Sequence, residues 1–143
     1  MTMMLERPRD YTLYLLRLSE WWGLAAQDEG WKGMMASEFD HHAGEQETSF
    51  ALATRPDLVH LDRLSPPAAP LKRLAHLPRM STATWWNADY PDQYAGDATQ
   101  ATVEKGEYLM ALAVEHLAGM LKAIKEDTAA AELEREFFAA SGQ

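Results

Sequence analysis

The hydrophobic positions between residues 97 and 125 recur every three or four residues, which is the period of an amphipathic α-helix. The residues that share this face are Leu109, Leu112, Ala113, His116, Met120 and Ile124. Asp97 or Thr99 is placed to cap the start of the helix, and Glu104 lies close to that start, where a carboxylate is favoured. The pattern therefore predicts one long helix that ends near residue 125.

Two glycines interrupt this helix, and a second pattern follows it. Gly106 and Gly119 each weaken a helix by about 1 kcal/mol relative to alanine, so we expect both to permit a close approach of another backbone. Residues 128–140 have an amphipathic pattern of their own. They predict a tail helix, over residues 128–143, that docks on the body of the protein or on a partner.

The rest of the chain predicts a mixture of strands and one further helix. The run over residues 10–18 is rich in aromatic and leucine side chains and lacks a polar face, which favours a buried strand, with a helix as the alternative. Residues 58–61 and 81–86 predict shorter extended pieces, whereas residues 44–54 predict a helix that stops before Pro56. This order of elements predicts an α/β layer fold.

Most of the candidate chemistry lies within residues 39–49. His41 and His42 are followed by Glu45 and Glu47, on either side of a small Ala43-Gly44 pair at which the chain can turn sharply. A helix that opens at this turn would place an imidazole and a carboxylate in the same space, where they could bind a metal or move protons. The alternative is that the glutamates are ordinary first-turn charges of a helix and one histidine is a surface residue.

Two motifs in this chain resemble those of one enzyme family. Residues 40–49 have the form D-x-H-A-G-x-x-E-T-S, and residues 55–59 read R-P-D-L-V. Residues 96–107 contain the elements G-D, A-T and E-K-G-E in the same order as a second family segment. In this combination they resemble the creatininase (creatinine amidohydrolase) family.

The resemblance implies a fold, a cofactor and a partner. It implies the C-terminal part of a three-layer α/β/α fold and a metal-dependent hydrolysis of cyclic amides or formamides, with zinc or manganese as the divalent metal. The family's E-x-H pair and its G-H-G-G-N loop, which hold the metals in its N-terminal half, do not occur in this sequence. The chain is therefore expected to form a homo-oligomer or to pair with a chain that supplies those ligands. The alternative is a non-catalytic binding or structural subunit derived from this fold.

The resemblance also assigns candidate roles to individual residues. His42 would be the general acid or base, Glu47 a metal ligand or the neighbour of one, and Asp40 the group that orients His42 or a ligand. Trp22, Trp31 and His41 are the candidate substrate-binding residues. For Trp22 the alternative is packing in a core or in a subunit contact, and for Trp31 it is packing on a neighbouring subunit.

Composition narrows the classes of partner. The 143 residues fit a single domain, 1–143, and their net charge of −9 argues against binding to nucleic acid, which depends on clustered Lys and Arg. The chain contains no cysteine, so a metal would have to be held by His, Asp or Glu. No apolar run approaches the length of a membrane span, and the first ten residues carry charges, so we expect a cytoplasmic protein. The resemblance implies that its substrate is a small molecule.

Overall fold

The computed structural model describes residues 5–17 and 23–142, and regular structure within them is helical. The α-helices are α1 (Glu29–Met34), α2 (Glu45–Thr54), α3 (Trp85–Asp89), α4 (Val103–Glu126) and α5 (Ala129–Ser141). Short 3-10 helices occur at Pro56–Leu58, Leu61–Arg63 and Ala98–Gln100. Within the same residues, none of the helices is long and apolar enough to cross a membrane.

The principal packing contact joins α2 to the first half of α4, and α1 lies against α4 as well. A small apolar core forms where these helices meet, with Ala25, Trp31 and Leu109 buried at its centre. The partly buried side chains that pack around them are Met35, Phe50, Tyr108 and Leu112. This arrangement fixes the first turn of α2, which carries the candidate chemistry.

The helices that the hydrophobic pattern predicts are present, although the start of the long one differs. Thr102 caps α4, because its side chain accepts a hydrogen bond from the backbone N–H of Lys105. Asp97 instead caps the short helix Ala98–Gln100, so the predicted capping of α4 by Asp97 or Thr99 was wrong. The predicted tail helix is present as α5.

The predicted α/β fold, as the C-terminal part of a three-layer α/β/α structure, was wrong for this chain. No β-strand occurs in residues 5–17 or 23–142, where the nearest feature is one isolated antiparallel bridge between Ala68 and Gly96. Of the predicted strands, residues 81–86 contain the start of helix α3, and residues 58–61 lie among 3-10 turns. A strand exists only beside a second strand that completes its hydrogen bonds. Among the described residues, no such neighbour lies next to any of these segments.

The apolar run at residues 12–17 is another segment that was predicted as a strand and is not one. It forms neither helix nor strand, and it lies against the tail of the protein through side chains. The hydroxyl of Tyr14 donates to Asp127 at 2.6 Å, and that of Thr12 donates to Glu134 at 3.4 Å. The bond with Asp127 raises the pKa of Tyr14, and the same bond lowers the pKa of Asp127.

Candidate functional site

The site is built around a tight bend immediately before α2. Ala43 adopts the left-handed conformation with φ of 56°, and Gly44 is the N-cap residue of the helix. The bend is fixed on both sides, since the N–H of Ala43 donates to Oε2 of Glu47 at 2.7 Å and the hydroxyl of Thr48 donates to the carbonyl of Ala43 at 3.0 Å. The first turn of α2 therefore holds its own entry segment in place.

This bend brings together the imidazole and carboxylate that the sequence paired. Nδ1 of His42 lies 3.5 Å from Oε2 of Glu47, and the two side chains are 53% and 48% exposed. The distance is longer than a good hydrogen bond. Both groups are therefore accessible to a ligand while they remain in contact with each other.

Asp40 lies against the start of α2. Its Oδ2 accepts a hydrogen bond from the backbone N–H of Gln46 at 3.1 Å, so it stabilises the start of α2, and no hydrogen bond joins it to His42. Its Oδ1 is buried without a hydrogen-bond partner among the described atoms. Burial raises the pKa of Asp40, and the backbone hydrogen bonds oppose this only in part.

Glu45 forms a buried ion pair that the sequence did not reveal. Its carboxylate is fully buried and accepts the backbone N–H groups of Ala36 at 3.1 Å and Ser37 at 2.7 Å, together with the ammonium of Lys105. Lys105 also donates to the carbonyl of Gln100 at 2.8 Å. Burial by itself raises the pKa of Glu45, but the bonds from Lys105 and Ser37 outweigh it, and the pKa lies below its ordinary value.

An aromatic cluster lies beside the two histidines. We define it as Phe39, His41, His42, Trp86 and Tyr90. The indole of Trp86 lies 5.7 Å from the ring of His41, 5.9 Å from that of His42 and 4.7 Å from that of Tyr90, between ring centroids. Trp86 lies on helix α3, far from the histidines along the chain, so its contact with them arises only from the tertiary structure.

Of the two candidate substrate-binding tryptophans, only Trp31 lies within the described residues. Trp31 is 3% exposed and packs in the core, where its ring stabilises the helix contacts. This placement does not support a substrate role for Trp31. Trp22 lies outside the residues that the structure describes, so its role stays a prediction.

An open groove adjoins the carboxylate side of the site. It encloses about 450 Å³ and runs from Glu47 and Thr48 to the turns at residues 58–65, with Tyr94 at one edge. His60 is exposed along this groove. The groove leaves room for a small molecule next to Glu47.

The described part of the chain does not by itself form a metal centre. Within residues 5–17 and 23–142, no group of three or more His, Asp or Glu side chains is arranged to hold a metal ion. Lys105 pairs with the carboxylate of Glu45, and Oδ2 of Asp40 is bonded to the start of α2. His42 and Glu47 lie in contact, and two half-exposed side chains do not fill the coordination sphere of zinc or manganese.

Comparison with known proteins points to one family. The family model described as creatininase, creatinine amidohydrolase, matches residues 3–121 of this chain. A candidate creatinine amidohydrolase of known crystal structure, from Bacteroides fragilis NCTC 9343, is similar with a TM-score of 0.59 and 28% sequence identity. The similar region covers 76% of this chain and 42% of that protein, so the chain spans less than half of its length. Among proteins of curated function, none matches this chain.

Proposed function

Because this chain belongs to the creatininase (creatinine amidohydrolase) family, we propose that it contributes the proton-transfer part of a site that hydrolyses an amide C–N bond. The observation that carries this proposal is the contact between His42 and Glu47, with 3.5 Å between Nδ1 and Oε2. Both side chains belong to the motif that the chain shares with the family, and both are accessible to a small molecule.

In the proposed reaction, His42 accepts a proton from the attacking water and passes it to the leaving nitrogen. The carboxylate of Glu47 orients the imidazole through Nδ1 and stabilises the imidazolium that forms between the two steps. Glu47 is suited to this role because the N–H of Ala43 already fixes its Oε2. Asp40 supports the site indirectly, by holding the start of α2 from which Glu47 projects.

The groups that activate the carbonyl would come from outside the described residues. The family implies zinc or manganese, but the side chains described here do not fit a complete metal centre, so no step is assigned to a metal on this chain. We propose that another polypeptide segment holds the metal, either as a second chain or elsewhere in a longer protein. Glu47 can still offer Oε1, which accepts no hydrogen bond from a described residue, as one ligand to such a centre.

We also propose which half of a family member this chain corresponds to. The order of its motifs supports the C-terminal half. The family match begins at residue 3 and so includes the N-terminal part of this chain. The match by itself therefore does not assign the chain to the C-terminal half of the family's proteins. The substrate class, a cyclic amide or a formamide, is likewise proposed from family membership.

The decisive experiment combines the chain with a polypeptide that carries the metal-binding half of a creatininase-type hydrolase. Bound zinc and manganese, mass in solution, and hydrolysis of creatinine and of a simple formamide are measured for each chain alone and for the mixture. We expect activity only in the mixture, and we expect His42→Ala to lower kcat by about 100-fold or more with the metal content unchanged. His76→Ala is the matched control, since His76 is an exposed histidine outside the site.

A second candidate function is a non-catalytic binding or structural subunit of an oligomer. It is favoured by the commitment of Asp40 and Glu45 to structural hydrogen bonds, together with the lack of a metal-binding group in the described residues. A mixture that assembles but stays inert supports this candidate. Full activity in the His42→Ala variant would remove His42 from its proposed role.

A further inference from the structure

The two histidine rings of the site rest on a single indole. Trp86 lies 5.7 Å from the ring of His41 and 5.9 Å from the ring of His42, and it meets the latter edge to face at 78°. The neighbouring Trp85 contacts the ring of Trp86, and it makes no ring contact with a histidine in the described part of the chain. Of the two adjacent tryptophans, Trp86 contacts the histidine rings of the site and Trp85 contacts Trp86.

Trp86 is itself held in place from two directions. Its indole N–H donates to Oε1 of Gln93 at 2.8 Å, and the amide nitrogen of Gln93 donates to Asn87 at 2.7 Å. The ring of Tyr90 packs against the same indole, with 4.7 Å between centroids. An aromatic side chain fixed by a hydrogen bond and by ring packing has little rotational freedom, so Trp86 is a rigid surface.

His42 has no comparable support on its own segment. Its side chain is 53% exposed and lies beside the left-handed bend at Ala43, and the one polar contact of its imidazole among the described residues, with Glu47, is 3.5 Å long. A ring with only that contact could turn about its side-chain bonds and lose the carboxylate. The edge-to-face contact with Trp86 restricts this rotation, because turning the imidazole away from Glu47 would also break its contact with the indole.

We propose that Trp86 is a positioning residue that keeps the imidazole of His42 directed at Glu47. It acts through His42 and does not itself transfer protons. The catalytic meaning of this inference rests on the proposed function, but the contact itself can be tested without activity.

The first test observes the histidine rings directly by NMR. An indole shifts the signals of nearby ring protons, so in the full chain we expect Trp86→Leu to move the ring C–H signals of His41 and His42 towards those of the exposed His60 and His76. Trp86→Phe, which keeps an aromatic ring, retains most of the original shift. Trp85→Leu is the matched control and leaves both sets of signals in place. Unchanged histidine signals in Trp86→Leu would overturn the inference.

The second test uses kinetics of the completed hydrolase. We expect Trp86→Leu to lower kcat by about 10-fold to 100-fold, because a displaced catalytic group is costly, and to change KM less than kcat. Trp86→Phe recovers most of the rate, and Trp85→Leu retains it. An equal loss of rate in the two leucine variants would indicate a structural role alone and would overturn positioning by Trp86.

The outcomes separate this inference from the function on which it rests. Activity that survives His42→Ala overturns the proposed function, whereas unaltered ring signals in Trp86→Leu overturn only the present inference. If Trp86→Leu does not fold, Gln93→Leu replaces it, since it keeps the indole but removes its hydrogen bond. We then expect a smaller displacement of the His41 and His42 signals in the same direction, and no displacement would contradict the inference.

Discussion

Gly106, in the first turn of α4, lies so close to the carbonyl oxygen of Ser49 in α2 that a Cβ atom on Gly106 would be 2.0 Å from that oxygen. The same Cβ would lie 2.7 Å from the Cβ of Ala53. Small residues on both helices therefore set the distance between α2 and α4. Since α2 carries Glu47, this contact also sets the position of the candidate site.

We predict opposite effects of alanine at the two glycines of α4. Gly106→Ala forces the helices apart and should lower the free energy of unfolding by about 1–3 kcal/mol, the usual cost of overpacking. A Cβ on Gly119 has no atom of the described residues within 4 Å outside the adjoining helix backbone, so Gly119→Ala should raise the same quantity by up to about 1 kcal/mol, because alanine favours helix. Urea denaturation of the two variants measures both values. A stabilised Gly106→Ala protein would contradict the close approach.

A second prediction concerns the buried hydroxyl of Ser49. It donates to the carbonyl of Glu45 at 2.6 Å and accepts the backbone N–H of Thr102 at 3.1 Å, so it links α2 to the cap of α4. Ser49→Ala leaves that N–H without its partner and should lower the free energy of unfolding by about 1–3 kcal/mol. Thr54→Ala is the control, because its hydroxyl makes the same type of bond within α2, to Phe50, at an exposed position. If urea denaturation shows the same small loss of stability in Ser49→Ala and Thr54→Ala, the hydrogen bond to Thr102 contributes nothing to the free energy of unfolding.

A third prediction concerns the buried ion pair of Glu45 and Lys105. Lys105→Met leaves the carboxylate buried with only its backbone donors, and we expect a loss of about 3 kcal/mol in the free energy of unfolding. Lys32→Met removes an exposed pair with Glu29 and should have little effect, since exposed pairs contribute little. Chemical denaturation at neutral pH compares the two variants. A Lys105→Met protein as stable as Lys32→Met would show that the backbone bonds alone satisfy Glu45.

A fourth prediction concerns the pH dependence that Asp40 confers. Its pKa is raised in the folded protein, so its contribution to stability is fully present below its ordinary value of 3.8 and is lost as the pH rises through the raised pKa. Asp40→Asn can keep the bond to the N–H of Gln46 without a buried charge. Relative to the unaltered protein, the variant should therefore gain stability between acidic and neutral pH.

The control for this titration is Asp57→Asn. Arg55 lowers the pKa of Asp57, so the contribution of Asp57 is present above its ordinary pKa and is lost as the pH falls. Relative stability in this variant should therefore change with pH in the opposite direction to that in Asp40→Asn. Urea denaturation at several pH values measures both. If the difference in stability between Asp40→Asn and the unaltered protein does not change with pH, burial does not raise the pKa of Asp40.

The chemical pairing at the site followed from the sequence because it is local. His42 and Glu47 are five positions apart across a bend that Ala43-Gly44 permits, and the first turn of α2 places one beside the other. The contact of Trp86 with both histidines could not be predicted in this way. Trp86 lies on a separate helix, and its position depends on how the intervening turns fold.

Gly106 and Gly119 also show the difference between what the local sequence predicts and what tertiary packing decides. The sequence indicated that each permits a close approach of another backbone, and the structure confirms this for Gly106, whereas no such approach to Gly119 occurs among the described residues. Both glycines have the same local cost in a helix, so their difference lies entirely in what packs against them. Likewise, Glu45 and Glu47 look alike as first-turn charges, yet one is buried against Lys105 and the other is half exposed beside His42.

By itself, the amino-acid sequence determined the helices α2, α4 and α5, because helix period, capping and proline stops act within a few residues. It also determined the family motif and the bend that carries it. Only the tertiary structure decided that the apolar runs taken for strands have no strand beside them in the described residues, that Asp40 stabilises the start of α2, and that Glu45 is buried against Lys105. The reason is physical: strand pairing, burial of a carboxylate and contact between rings all depend on groups that are distant along the chain.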